Sequence, residues 1–507
     1  MKITSFVLLL TAAPVAGVSG DWPMWGRTPS RNMTGPGEDL PVTADSGEVD
    51  EETEKVDLSS AENIRWAAKL GSQSYGNPVA AFGKVFVGTN NESPRDPGQT
   101  GDRGTLMAFD EKTGKFLWQL VAPKLGAGKV SDWEYVGICS APAVEEDRLW
   151  LITNRGEVVC LDINGQADGN QGPFKDEGLY MAAGGKRVEL SKEHADILWR
   201  YDMREELGVF PHNVSSCSPL VVGDTLYTAT SNGVDWSHTN IPAPLAPGLI
   251  ALDKNTGKLL GEEVSGVSER VLHASWSSPA YGKAGGRGLV VWGGGDGFVY
   301  GFEPEPVRDE EEDLDVLREV WRYDANPPEY RIADGKPIKY ARYAGPSEVI
   351  GTPVLSDGLV YVAIGQDPEH GDGVGMLSCI DASKRGDLSG KAVWTFKDIG
   401  RSISTPSVAD GLVFQAEFDG EIHCLDAMTG QPYWKHETLS RIWGSTLVAD
   451  GKVFIGTEDG ELVILAADKK KKELGVIEFP APIHCSPIVA NDTLYIATDT
   501  HLYAVGK

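Results

Sequence analysis

The side chains best equipped for chemistry in this sequence fall in a few short stretches. His212 and Asn213 stand together. Asp235, Trp236 and His238 occur in "GVDWSHTN", His273 and Trp276 in "HASWSS", and Asp367, Glu369, His370 and Asp372 in "QDPEHGDG". Imidazoles and carboxylates serve as acids and bases, as hydrogen-bonding anchors or as metal ligands. Calcium takes several oxygens from one loop, but the spacing around Asp367 matches no metal loop; a solvated turn is the alternative, and no metal site is assigned. Arg401 and Arg441 hold one register ahead of successive repeats. Side by side, two guanidiniums suit a carboxylate or phosphate through forked hydrogen bonds; pairing with nearby acidic loops is the alternative. Trp276 and Trp443 share another register, either as walls of a funnel or as plates between repeats. No Ser-His-Asp set is legible, because triad partners need not be close in sequence, and no catalytic residue is assigned.

These residues need a scaffold, and the chain writes it as a repeat. "MAFDEKTGKFLW" (107–118), "IALDKNTGKLLG" (250–261) and "HCLDAMTGQPYW" (423–434) are one hairpin written three times. The aspartate can hydrogen-bond the turn backbone, and the glycine supplies the positive φ that the turn needs. A bulky residue then ends the outer strand: Trp118, Trp199, Trp321, Trp394 and Trp434, with Leu260 or Gly261 and Leu474 as weaker versions. A second motif, a small residue and usually proline, precedes each hairpin at Pro78, Pro142, Pro219, Pro279, Pro353, Pro406, Thr446 and Pro487. Between the two lies an alternating strand such as "DGLVYVAIG" (357–365). Each unit is therefore a sheet of short antiparallel strands, A to D, that cannot bury both faces alone and must stack on its neighbours.

The A strands predict eight units. The last unit stops after its C strand, at "LYAVGK", while "NIRWAAKL" (63–70) offers a spare strand carrying Trp66 before the first unit. A ring solves both problems and removes exposed sheet edges. The expected fold is all-β: an eight-bladed β-propeller of four-stranded antiparallel blades over 63–507, closed by that N-terminal strand. Two stacked sandwiches would leave both the missing strand and the spare one unexplained.

Composition narrows the function. The formal charge is −28, which argues against nucleic acid, since phosphate binding needs clustered basic residues. Lys2 followed by "FVLLLTAAPVAG" reads as an export signal over 1–20, with the mature chain starting near Asp21 in the periplasm or outside the cell. No other stretch is apolar enough for a membrane helix, and no cysteine before Cys139 offers a lipid anchor. Cys160, Cys379 and Cys424 share one register and Cys217 and Cys485 another, so buried free thiols are expected rather than bridges. Residues 21–62 read as an acidic N-terminal segment. Residues 37–57 and the "EPEPVRDEEEDLDVL" insertion (303–317) read as solvated and mobile, and "LSKEHADILW" (190–199) as a short helix.

The pattern A-x-D-x-x-T-G-x-x-x-W, matched in full by Ala108, Asp110, Thr113, Gly114 and Trp118, resembles the tryptophan-docking motif of pyrroloquinoline quinone (PQQ) dehydrogenase propellers. "DWPMWGR" (21–27) and "ENIRW" (62–66) are similar to their N-terminal segments. The same repeat occurs in non-enzymatic, BamB-like outer-membrane assembly factors, and two loops (230–242 and 362–375) look like those of PQQ-like proteins from planctomycete-type bacteria. The resemblance implies either a scaffold or an enzyme holding PQQ and calcium over the channel. The dehydrogenases use an adjacent Cys-Cys pair and a Glu-Asn-Asp calcium set; no two cysteines are adjacent here, and that set cannot be placed.

In a propeller, B–C and D–A connections emerge on one face. The long ones here, at 90–104, 119–138, 200–216, 231–248, 322–349 and 366–375, would surround one mouth of the channel, where binding sites are usually built. Under this reading His212, Asn213, Asp235, Trp236, His238, His273, Trp276, Asp367, Glu369, His370, Arg401, Arg441 and Trp443 form a ligand-binding face for a protein, peptide or carbohydrate. No cofactor is required, and a monomer is expected. The alternative is a PQQ-dependent oxidoreductase, with Asp235 or Asp367 as the base.

Overall fold

A computed structural model describes residues 20–182, 184–311, 313–339, 345–369 and 374–507. Its core is a ring of eight antiparallel sheets. The first is typical, with strands Val79–Ala81, Lys84–Asn90, Arg103–Asp110 and Phe116–Pro123 paired in sequence order. The last pairs Ile488–Ala490, Thr493–Ala497 and His501–Val505 with Ile64–Lys69, setting Trp66 opposite Ala504 and Ala68 opposite Leu502. The N-terminal strand thus closes the ring.

The repeat motif explains how the blades lock. In the turns after Asp110, Asp253 and Asp426, the carboxylate accepts hydrogen bonds from the backbone and hydroxyl of the following threonine. The glycine does more than turn the chain. A Cβ on Gly114, Gly257 or Gly430 would lie 2.5 Å from the indole of Trp66, Trp199 or Trp394, each from the preceding blade. Those indoles donate to the turn carbonyls of Glu111, Lys254 and Ala427. Each tryptophan therefore docks flat on the next blade's Thr-Gly turn.

A second lock runs around the axis. In six of the eight blades the residue before the A-strand motif position presents its backbone N–H to the side-chain oxygen of the equivalent residue one blade on: Ala141 to Ser218, Ser218 to Ser278, Thr352 to Thr405, Thr405 to Ser445, Ser445 to Ser486, and Ser486 to Asn77. The small residue in that motif, a hydroxyl or amide in every blade but the second, where it is Ala141, thus serves as an acceptor. The last of these bonds joins blade 8 to blade 1.

Strand A is the inner edge of every blade, and its amides need partners. Residues 20–35 supply them. Trp22 pairs with Ala80, Pro23 accepts from Val144, Pro29 from Tyr281, Ser30 from Leu355 and Met33 from Val448, while Asn32 exchanges bonds with Val408 and Gly20 accepts from Asn491. Arg31, fully buried, completes the circuit through the carbonyls of Ser218, Pro219 and Pro279, with a further bond to the Trp25 carbonyl. This segment plugs the channel at the end opposite the long loops. Farther on, Glu48–Val49 and Val56–Asp57 form a small exposed hairpin.

Two expectations are corrected. The 303–317 insertion is not loose: Val307–Asp309 and Leu314–Leu317 form a hairpin that adds in parallel to blade 3, burying Val316 and Leu317. Blade 3 lacks the docking tryptophan, and Pro306 covers Gly261 instead. No helix covers 190–199; Ile197–Asp202 is the outer strand of blade 2, and the short helix of that insertion is Glu177–Tyr180. All six cysteines are free and buried, as expected. The segment expected to be an export signal, 1–20, lies outside the described residues except for Gly20.

Candidate functional site

With one end plugged, the channel becomes a blind pocket of about 430 Å³ opening on the decorated face. Its wall is built from one register, two residues before the belt residue in every blade: Tyr75, Cys139, Ser216, Trp276, Ile350, Ile403, Trp443 and His484. Trp25 from the plug also lines it, held by its indole N–H on Thr352 Oγ1 at 3.0 Å. Three long loops contribute Trp133 and Val136, Asn213 and Val214, and Asp367, Pro368 and Glu369.

The aromatic groups are fixed rather than loose. Tyr75 stacks on His484 with centroids 4.8 Å apart, and Trp443 meets the same imidazole edge-on at 5.1 Å. His484 Nδ1 is anchored on Asp499 at 2.7 Å. Burial pushes the Tyr75 phenol up, reinforced by the Asp499 charge, so it stays neutral. Across the pocket, the Trp276 indole N–H bonds the carbonyls of His212 and Val214. The carboxylates on the described lining are Asp367 and Glu369; it holds no lysine or arginine.

Behind Trp276 lies a second constellation. His212, His238 and His273 converge, with ring centroids 4.4 to 5.0 Å apart. His212 Nδ1 donates to the Val234 carbonyl at 2.6 Å, and His273 Nδ1 to Asp367 Oδ2 at 2.7 Å. Burial, with the two neighbouring histidines, pushes His212 down to about 3, so it is neutral at pH 7. Glu348 is fully buried behind Asp367, and neither of its oxygens makes a well-formed hydrogen bond among the described residues. Burial and the Asp367 charge hold its carboxyl well above the usual range.

The sequence candidates divide accordingly. Asn213, Trp276, Asp367, Glu369 and Trp443 line the pocket, which places both tryptophans on its wall. His212, His238 and His273 gather behind it. Asp235 and the 60 % exposed Trp236 lie on the outer turn of their loop, away from the pocket. Arg401 and Arg441 are neighbours but do not line the pocket: they flank the Phe418 ring at 4.4 and 5.6 Å and lie beside Asp419 and Glu458 respectively. His370 and Asp372 lie outside the described residues. Sequence reasoning missed Tyr75, His484, Trp133, Trp25 and Glu348. The shared register of Trp276 and Trp443 was the signal that would have found the first two.

The family model described as outer membrane protein assembly factor BamB matches residues 40–172 and 373–505, just over half of the sequence. The chain belongs to this family. No curated protein matches significantly in sequence. Among solved structures, the BamB-family propeller is similar to BamB from Moraxella catarrhalis, at 14 % identity over 87 % of this chain and 96 % of that one, with a TM-score of 0.52. It is also similar to a europium-containing methanol dehydrogenase (13 %, 95 % and 89 %, TM-score 0.61) and to the quinohemoprotein alcohol dehydrogenase ADHIIG from Pseudomonas putida HK5 (13 %, 96 % and 80 %, TM-score 0.58). At such identities the likeness shows the fold, and fold does not fix function. No helix among the described residues is long and apolar enough to cross a membrane.

Proposed function

We propose that this protein is an exported, non-enzymatic binding propeller that takes a peptide or carbohydrate into the channel mouth. The observation that carries this reading is the pocket lining: aromatic plates from blades 1, 4, 7 and 8 around a floor that includes Trp25, with Asp367 and Glu369 as the charged side chains of the loops. Flat aromatic faces with a few oriented polar groups suit a sugar ring or an aromatic or basic side chain. The family's description as an assembly factor is in keeping with a propeller that holds another molecule rather than transforms it.

The quinoprotein alternative fares worse on the same residues. PQQ is a multiply charged anion, and calcium helps to hold it. The described lining presents two carboxylates and no cationic side chain, and no two cysteines of the sequence are adjacent as in the dehydrogenases' pair. The described residues do not fit the group.

The test is intrinsic tryptophan fluorescence during titration with a panel of oligosaccharides and peptides. A ligand of the pocket quenches or shifts the Trp443 and Trp276 emission in a saturable way. Its affinity falls at least tenfold in Tyr75→Ala and Trp443→Ala and is unchanged in Trp236→Ala, which lies off the pocket. If binding is indifferent to Tyr75 and Trp443, the reading is wrong.

A further inference from the structure

We propose that His212, His238 and His273 form a binding site for a divalent transition-metal ion of the zinc type. The three side chains come from separate loops of blades 3 and 4, yet each brings one ring nitrogen within 4.8 Å of those of the other two. Three imidazoles with one position left open is the ligand set of a non-structural zinc site. Nitrogen donors rather than carboxylates select zinc, copper, nickel or cobalt over calcium or magnesium.

The outer contacts support this. A metal-bound histidine typically donates its other ring N–H to a carbonyl or carboxylate, which fixes tautomer and orientation. His212 does so to the Val234 carbonyl and His273 to Asp367. Because Val234 O can only accept, the hydrogen of His212 sits on Nδ1 and the lone pair on Nε2. That Nε2 is buried and has no hydrogen-bond partner, in a residue with no exposed surface. A buried acceptor left unsatisfied is destabilising, and a coordinated cation removes that cost. His238 is only partly buried and sits on the exposed 235–240 turn, which gives an ion its way in. Trp276, edge-on to His273 at 4.9 Å, separates the site from the pocket.

The test uses the full mature chain, stripped with chelator and titrated calorimetrically with Zn²⁺, then with Co²⁺ followed by visible absorption. The wild type is expected to bind one equivalent of Zn²⁺ with sub-micromolar affinity and to give the intense cobalt bands of a four- or five-coordinate ion. His212→Ala and His238→Ala should weaken binding at least 100-fold. Asp367→Asn, which changes the hydrogen-bond partner of His273, should weaken it about 10- to 100-fold. His238→Ala, on an exposed loop, keeps the test open if the buried His212 variant fails to fold, and circular dichroism reports on folding in each. Folded wild-type protein that binds neither ion overturns the proposal. So does binding that survives His238→Ala, or that disappears instead on changing His423, which faces Glu417 and Glu421 elsewhere.

Discussion

At the scale of single residues, the polar groups that matter most lie out of water's reach. Arg31 is the clearest case. Burial pulls its guanidinium down to about 10, yet it stays charged, because it faces the carbonyls of Trp25, Ser218, Pro219 and Pro279. Arg31→Met would leave those oxygens without donors, at about 3 kcal/mol of stability, measurable by equilibrium denaturation. The sequence gives little warning of this residue, since a lone arginine in a Gly- and Pro-rich stretch reads as solvated. The histidines show the same limit. The repeat places 200–216, 231–248 and the approach to blade 4 on one face, so a shared mouth was legible. Their convergence on a point depends on loop paths that no periodicity encodes. Trp236, by contrast, carried every sequence sign of a contact residue and lies outside, because the Asp235 turn, bonded to Ser237 and Asn240, points it away.

At the scale of elements, the hairpin that the sequence repeats is a dock as well as a turn. Gly430 has a φ of 69° and lies beneath the Trp394 ring. Gly430→Ala therefore meets two penalties at once: a left-handed backbone, which alanine disfavours, and a Cβ inside the indole's space. Together these should cost about 3 kcal/mol and lower the thermal midpoint. A Gly451→Ala control, with a similar φ but open space around it, should lose less. The closing strand carries its own pH response. His501, paired opposite Lys69, is buried and bonds the Glu54 carbonyl at 2.9 Å. Burial, and then Lys69, pulls its pKa from 6.5 to about 4. Between those values the unfolded chain binds more protons than the fold, so acid destabilises, by about 2 kcal/mol at pH 5 from this group. His501→Gln should flatten the fall in stability between pH 7 and pH 5 by that amount. The acidic 303–317 hairpin was illegible for a related reason: its charges dominate the pattern, while the packing rests on Val316, Leu317 and Pro306 alone.

At the scale of the whole molecule, ring closure was legible because the count of strands failed to balance: one missing at the end, one spare at the start. Pairing of Ile64–Lys69 with His501–Val505 settles that count, and the belt from Ser486 to Asn77 closes it a second time. The plug was not legible, since residues 20–35 bind chiefly through their backbone, which carries no side-chain pattern. Its effect is large: it turns a channel into a blind pocket, so whatever enters from the loop face must leave by the same mouth. That pocket is read as taking a neutral or basic ligand rather than an anionic quinone. The most direct measurement is titration of PQQ into the protein with saturating Ca²⁺, followed by absorbance and by alcohol-dependent dye reduction. The account predicts no stoichiometric binding and no dye reduction above the free quinone. Tight one-to-one binding with alcohol- or sugar-dependent reduction would contradict it.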